Sequence, residues 1–325
     1  MKNNILIIIL LFILIIFTTY YNKNNNVDHY NPKINSINNN ENITYELPKK
    51  IWTHWDNIDN IPESILNTIN TAKKNLNNYE YILVSNSNIY DYIDKNEFPK
   101  NYNQLGKQHK ADWIRLYLLY KYGGTWIDSS VIITELHDID EIYNNCYKNK
   151  YELMAFYLDG NTINNDKYTF IENWFLIASV NNNIIKLWKE EFEYAIDIGF
   201  TKYNQETKKI VDLGNLGNLG EYLTMHAAIK KLITLNKIDK NKILLKRAED
   251  DMFNIHSKCN WKRWCIVDAL NKNEHLKLKY VKLRSLDRET GFFKATCIDI
   301  HQHLDNYELY RNISKYVLNI LQYIK

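Results

Sequence analysis

The chain has 325 residues, 45% of them hydrophobic and 24% charged, with a formal net charge of +3. That is enough apolar material for one large or two small folded domains, and the charge balance is too even for a nucleic-acid surface, which needs a basic stripe with interleaved aromatic residues. The four cysteines, Cys146, Cys259, Cys265 and Cys297, show neither a C-x-x-C pair nor zinc spacing, so a zinc site of the common kinds is excluded.

Residues 5–17 are apolar without exception, and the run extends through Thr18, Thr19, Tyr20 and Tyr21 to the length that minimally spans a bilayer. No small-x-small cleavage site follows, and the tyrosines suit a membrane interface, which favours an uncleaved signal anchor over 1–22. Residues 23–47 are Asn-rich, hydrophilic and without periodicity, as in a flexible stem. Asn42-Ile43-Thr44 and Asn312-Ile313-Ser314 have the form of glycosylation sequons. The folded domain is expected over 48–325.

Lys50-Ile51-Trp52-Thr53-His54-Trp55 is short, aromatic and β-branched, the character of a first strand. Pro62 to Leu76 has amphipathic helical spacing, Tyr79 to Val84 a second strand, and a short helix is expected near Tyr90 to Ile93. This β-α-β-α order predicts an α/β sheet with parallel strands. In the next helix Asp112 and Arg115 are three apart and share one face, whereas Trp113, Ile114, Leu116, Tyr117, Leu118 and Tyr120 are apolar nearly all round, which predicts burial. An Asp and an Arg there must pair, hydrogen-bond or face a cavity, because an unpaired buried charge costs several kcal/mol. Gly123 stands where a helix C-cap is wanted, and Gly124 permits a tight turn or a close backbone approach. Thr125-Trp126-Ile127 reads as a strand that Val131 to Thr134 resumes after the polar interruption Asp128-Ser129-Ser130. Small polar groups at the end of a buried strand mark ligand sites in open α/β sheets. A structural ion pair at Asp112–Arg115 and a turn role for Asp128 account for the same residues equally well.

Beyond the motif, Asn183 to Tyr194 is helical by its apolar spacing, a charged and weakly structured stretch runs to Ile210, and Glu221 to Leu235 is a further helix. Leu213 to Gly220 carries three glycines at three-residue spacing but no Gly-Lys-Ser/Thr, so it is not a phosphate loop. His226 fits a packed histidine. His301 and His303 alternate like strand neighbours with no visible partner. Cys259 and Cys265 either close a short loop around Trp261 and Trp264, in an oxidising compartment, or remain buried thiols in a reducing one.

Taken together, Ala111-Asp112-x-x-Arg115, the apolar run and Gly123-Gly124-Thr125-Trp126-Ile127-Asp128 resemble the sugar-nucleotide-binding core of DXD-type glycosyltransferases of the capsular-polysaccharide-synthesis and mannosyltransferase kinds, distantly shared with large clostridial glucosylating toxins. The resemblance implies a GT-A-like fold, a Rossmann-type mixed sheet flanked by helices, whose donor-binding part is 48–180 and acceptor-side part 181–300. It implies a nucleotide-diphosphate sugar donor, a glycan, lipid-linked or protein acceptor, and Mn²⁺ or Mg²⁺. Carried across, Asp112 and Arg115 bind sugar and ribose hydroxyls, Asp128 is the first Asp of the metal motif, and Gly124 belongs to the donor site. Ser130 stands at the second Asp, as in the capsular branch; a hydroxyl is a neutral and weaker ligand for these ions. The opening strand is similar too, which makes Trp55 the base-stacking candidate, with a core tryptophan as the alternative, and Thr53 a donor contact. Phe170 to Ala178 resembles the segment after the metal motif, with Asn173 on the donor sugar. Tyr280 to Leu283 resembles a late segment in which Lys282 reaches a phosphate, and His256 is a candidate third metal or phosphate contact. Arg115 would stabilise developing charge beside a Lewis-acidic metal. The toxin and mannosyltransferase branches retain anomeric configuration, and the type II habit of such enzymes places the domain on the lumenal or extracytoplasmic side. Two alternatives remain: a noncatalytic nucleotide-sugar or glycan-binding protein on a decayed transferase scaffold, with Ser130 as the lesion, and a purely structural membrane-anchored surface protein.

Overall fold

The computed structural model of the chain describes residues 45–283 apart from 215 and 217–219. The expected anchor, the stem through residue 44, both sequons, Cys297, His301 and His303 lie outside these. Strand β1 (Lys50–His54) is buried from Ile51 onward. Its side chains alternate, so Ile51 enters the apolar cluster on one face of the sheet and Trp52 the cluster on the other. With both faces covered, the central strands are buried along almost their whole length, whereas the edge strands keep exposed or partly exposed polar residues such as Glu80, Lys246 and Arg247.

Helix α1 (Glu63–Asn75) leads to β2 (Glu80–Val84), parallel to β1 with Lys50 opposite Glu80. Helix α2 (Lys107–Tyr122) then carries the chain across β1 to β3 (Gly124–Ile127), which pairs parallel on β1's other edge with Trp52 opposite Trp126. Two antiparallel pairings follow: β3 with β6 (Ile171–Ala178), and β6 with β5 (Leu153–Tyr157). Strand β7 (Ile243–Arg247) closes the sheet parallel to β5, in the order β2-β1-β3-β6-β5-β7. One face is covered by α2, by α4 (Asn183–Ile198) and by α6 (Thr224–Thr234), the other by α1 and α3 (Ile139–Asn149). Trp113 Nε1 donates to Glu193 Oε1 at 2.8 Å and Trp188 Nε1 to the Met225 carbonyl at 2.8 Å, which ties α2 to α4 and α4 to α6.

The expected α/β sheet with parallel strands is present, and several details differ. Val131 does not resume β3: the chain turns at Asp128, whose carbonyl accepts from Val131 N, and β4 (Val131–Ile133) pairs instead with β8 (Tyr280–Lys282) in a separate two-stranded antiparallel sheet. The stretch before Ile210 is not weakly structured. It contains α5 (Phe200–Lys208), set off from α4 by Gly199; only Tyr203 and Thr207 of α5 are buried, too narrow a stripe to stand out among charges. The short helix near Tyr90 is a single 3₁₀ turn, Ile89–Asp91. The folded part begins before Pro48, because Tyr45 donates to the Tyr151 carbonyl, the Glu46 carbonyl accepts from Val180 N, and Leu47 packs on the core. Residues after 180 share one sheet and core with those before it, through α4, α6 and β7. Helices α7 (Asn254–Lys258) and α8 (Arg263–Asn271) pack beside β8, bridged by a disulfide between Cys259 and Cys265. Among the described residues no helix is long and apolar enough to cross a membrane.

From β1 the chain goes to one edge for β2 and to the other for β3, so the strand order reverses between β1 and β3. In open α/β sheets the crevice at the carboxyl ends of the strands flanking such a reversal is where ligands bind. Gly124 holds these two strands together. Its φ is +95°, and a Cβ there would stand 2.6 Å from the Lys50 carbonyl oxygen. Gly199 also has a positive φ, +87°, but open space around it. Gly124→Ala is therefore expected to cost about 3 kcal/mol or more, and Gly199→Ala only about 1 kcal/mol, as measured by urea denaturation against the parent chain.

Candidate active site

A cavity of about 450 Å³ opens at this reversal point. The end of β1 and the loop after it contribute His54, Trp55, Asp56, Asn57 and Asn60; β3 and its turn contribute Trp126, Asp128, Ser129 and Ser130. Lys107, Gln108, Ala111 and Arg115 complete it from α2, their spacing placing them along one helical face. The first turn of α2 thus faces the cavity. Its N-cap is Gly106, which offers no side-chain cap to the leading N–H groups, so these and the helix dipole favour an anion.

Arg115 organises the interior. Its Nη1 donates to Asp112 Oδ1 at 2.6 Å, its Nη2 to Asp128 Oδ1 at 2.9 Å, and its Cζ lies 4.8 Å from the centre of the Trp126 ring. The ring in turn donates through Nε1 to Asp128 Oδ1 at 2.8 Å. Asn173 Nδ2 donates to Asp112 Oδ1 at 3.1 Å, and Met225 Sδ lies 3.1 Å from Asn173 Nδ2 and 3.4 Å from Arg115 Nη1. The pairing of β5 with β6 slips between Ala155 opposite Leu176 and Tyr157 opposite Ile171. Such an irregularity re-aims side chains, and Asn173 lies within it. On the far side Lys282 Nζ donates to Asp128 Oδ2 at 2.8 Å and to Ser130 Oγ at 2.7 Å.

These contacts set the electrostatics. Burial raises the Asp128 carboxyl, but Lys282 and Arg115, with hydrogen bonds from Lys282 and Trp126, outweigh it and hold the group at about 2. Burial also raises Asp112, and there it prevails over Arg115, His226 and His109. His54 is lowered to about 4, first by burial, with Asp56 pulling it up and Arg115 down. Its Nε2 is 3.8 Å from Asp56 Oδ1, too far for a hydrogen bond. Among the described residues neither Asp112 Oδ2 nor Arg115 Nε has a hydrogen-bond partner, although both are buried.

Of the residues expected from sequence, Trp55, Arg115, Asp128 and Ser130 line the cavity. Asp112 and Asn173 stand behind Arg115, buried and bonded to each other, and Lys282 reaches Asp128 from β8. Thr53 is fully buried on the face of β1 opposite His54 and does not line the cavity. Gly124 is absent from the lining, and the approach of Lys50 explains its lack of a side chain. His256 lies outside the lining too; it packs in α7 against Phe253 and Trp261, ring centres 5.0 and 5.4 Å away. His226 is a packed histidine as expected, its Nε2 3.5 Å from Glu172 Oε2 and its ring 5.3 Å from Phe170. Sequence reasoning missed His54 and Trp126. Strand alternation carried the signal: Trp52 and His54 share a face of β1, and Trp126 and Asp128 share the same parity on β3.

The residues present do not fit the expected divalent ion. Such an ion takes about six oxygen ligands, one or two of them carboxylates and the rest waters and phosphate oxygens, and each ligand needs a lone pair free to face it. At the expected position Asp128 is the one carboxylate, the cavity's other, Asp56, being paired with Lys107; two donors fill Asp128 Oδ1, and the Lys282 ammonium stands against both Oδ2 and Ser130 Oγ, so an ion there would have to displace that ammonium. Among the described residues no group of three or more His, Cys, Asp or Glu side chains is placed to hold a metal.

An open α/β sheet with a charged cleft at its reversal point defines a ligand-binding domain. More specifically, the model of the capsular polysaccharide synthesis protein family matches residues 17–295, and the chain belongs to that family. It is 29% identical over 164 residues to the O-glycosyltransferase braB of Annulohypoxylon truncatum, covering 46% of this chain and 38% of that protein. Over 93 residues it is 33% identical to the glycosyltransferase afumC of Aspergillus fumigatus (strain CBS 144.89 / FGSC A1163 / CEA10), covering 28% and 22%. The chain thus spans well under half the length of these curated relatives. Among solved structures it is similar to a glycosyltransferase involved in the glycosylation of the major capsid of PBCV-1, at 12% identity and a TM-score of 0.35, covering 72% of this chain and 93% of that one. It is also similar to the PaToxG glycosyltransferase, at 15% identity and a TM-score of 0.34, covering 70% and 79%.

His54 yields a pH prediction. The unfolded chain protonates near 6.5, whereas the folded state holds the ring neutral down to about 4. Its contribution is therefore complete above 6.5 and lost as pH falls toward 4, by about 3 kcal/mol. Urea denaturation at pH 7 and at pH 4 is expected to show that loss in the parent chain, and a smaller one in His54→Asn.

Proposed function

We propose that the chain is a GT-A-type glycosyltransferase that moves a sugar from a nucleotide-diphosphate sugar to a hydroxyl of a glycan, lipid-linked or protein acceptor. The observation that carries this reading is the bonded cluster Asp112–Arg115–Asp128 at the reversal point of the sheet, beside an anion-favouring helix start and an aromatic wall. Trp55, half-buried at the mouth, offers a face for a nucleotide base. The leading N–H groups of α2, with Ser129 and Ser130, suit a diphosphate. Asp112 Oδ2 is an uncommitted acceptor and Arg115 Nε an uncommitted donor, the complement of a sugar or ribose hydroxyl, which both donates and accepts. Named glycosyltransferases among the relatives support the same class.

Within such a complex the chain's own groups perform positioning and charge stabilisation. Arg115 is fixed on three sides, by Asp112, Asp128 and the Trp126 ring, so its guanidinium needs no reorganisation when charge develops on the departing diphosphate. Asp128 is doubly ion-paired and Asp56 pairs with Lys107, Nζ to Oδ2 3.3 Å. Retention of anomeric configuration is proposed from the resemblance to the toxin and mannosyltransferase branches. We place the domain on the extracytoplasmic side of a membrane, held by the apolar segment near residues 5–17. The Cys259–Cys265 disulfide supports this, because such bonds persist in oxidising compartments.

The test is nucleotide release from a panel of UDP- and GDP-sugars by the detergent-solubilised full chain, with product configuration read by NMR. At least one donor is expected to turn over with retention. Asp128→Asn is expected to lower turnover about 100-fold or more while near-UV circular dichroism stays that of the parent, because it removes charge and leaves a domain with several kcal/mol of stability in hand. Donor binding without release or transfer would instead support a noncatalytic binding protein, and no donor binding at all would refute both.

A further inference from the structure

We infer that Lys282 is the resident cation of the diphosphate site: its ammonium bridges Asp128 and Ser130 in the place a divalent ion would need, so nucleoside diphosphate binding by this chain is independent of added metal. The inference rests on the transferase reading and concerns how the same site handles charge.

The ammonium lies 2.8 Å from Asp128 Oδ2 and 2.7 Å from Ser130 Oγ, the two side-chain oxygens flanking the turn after β3. The lysine is not a surface group folded inward: its side chain is 11% exposed. It is held by backbone on both sides. Lys282 N donates to the Met252 carbonyl, Leu283 N to the Ser130 carbonyl, and Val131 lies opposite Lys282 in the β4–β8 pair. The strand that carries the cation is thus bonded to the turn that carries its ligands.

Charge balance supports the same assignment. Arg115 and Asp128 balance one another and Asp112 adds no positive charge, so Lys282 is the group that turns the cluster toward a diphosphate. Ser130 Oγ accepts from the ammonium, which directs its own hydrogen elsewhere, and Ser130 lines the cavity, so that hydrogen is available to a phosphate oxygen. An ammonium has three donors, and Asp128 and Ser130 take two. A divalent ion at the same oxygens would have to displace a buried ion pair and would stand within a few ångströms of two positive charges.

The experiment measures UDP and GDP binding to the full-length chain by calorimetry, in EDTA and then with about 1 mM MnCl₂. One nucleotide is expected to bind in EDTA, with Mn²⁺ changing its Kd less than about threefold; Lys282→Met is expected to weaken it about thirtyfold or more, the loss typical of truncating one partner of a buried charge pair. Titration with MnCl₂ alone, followed by electron paramagnetic resonance, is expected to show no site in the parent chain. Two results would overturn the inference while leaving the transferase reading intact: Mn²⁺ tightening nucleotide binding about tenfold or more in the parent chain, or Mn²⁺ binding alone that Asp128→Asn abolishes. Absence of nucleotide binding under both conditions would overturn the transferase reading and this inference with it. Should Lys282→Met fail to fold, the parent-chain comparison decides by itself.

Discussion

The Asp128 carboxylate is the constraint on which the rest of the site depends. It stands at the end of a buried strand, where a lone charge would cost several kcal/mol, and three elements converge to satisfy it: Arg115 from α2, Trp126 from its own strand and Lys282 from β8. Each partner is itself held in place. Asp112 and Asn173 brace Arg115, the α4–α6 packing sets Met225 beside it, and the main chain of Met252 and Ser130 locks the strand of Lys282. The cluster is therefore a junction between the large sheet and the small one as well as a candidate site.

This arrangement separates two kinds of residue that one motif places side by side. Arg115, Asp128 and Ser130 face the cavity. Asp112 and Asn173 form a buried layer whose role in the resting structure is to fix the guanidinium. The distinction changes how Asp112 is understood, since its carboxyl keeps one oxygen without a partner in a setting where burial already works against its charge. A ligand hydroxyl donating to that oxygen would relieve a cost already present in the fold.

Much of this was legible in the sequence because local rules and burial agree there. Gly123 and Gly124 follow a helix that is apolar all round, and the strand after them ends in small polar groups; helix, turn, strand and candidate site emerge from that stretch alone. The failures have identifiable physical causes. Val131 to Ile133 has strand character, but nothing local reveals that its partner lies near residue 280, so the sequence reads as a continuation of β3. In the first strand the resemblance points to Thr53, although period-two alternation with Trp52 puts His54 on the cavity side. Helix α5 hides its two buried residues among charges. The expectation of a divalent ion comes from motif resemblance, and no local rule discloses that a lysine more than 150 residues away stands beside Asp128.

The dependence of Asp128 on β8 has a consequence for how the site comes into being during synthesis. All six strands of the large sheet, and Arg115 with them, are encoded before residue 250, whereas the second cation arrives only when the segment near residue 282 has left the ribosome. Until then the carboxylate has one cationic partner and the Ser130 turn lacks the strand that secures it. The same late segment carries Tyr280, which packs in the apolar core on one face of the sheet, so the second cation and part of the core are encoded together.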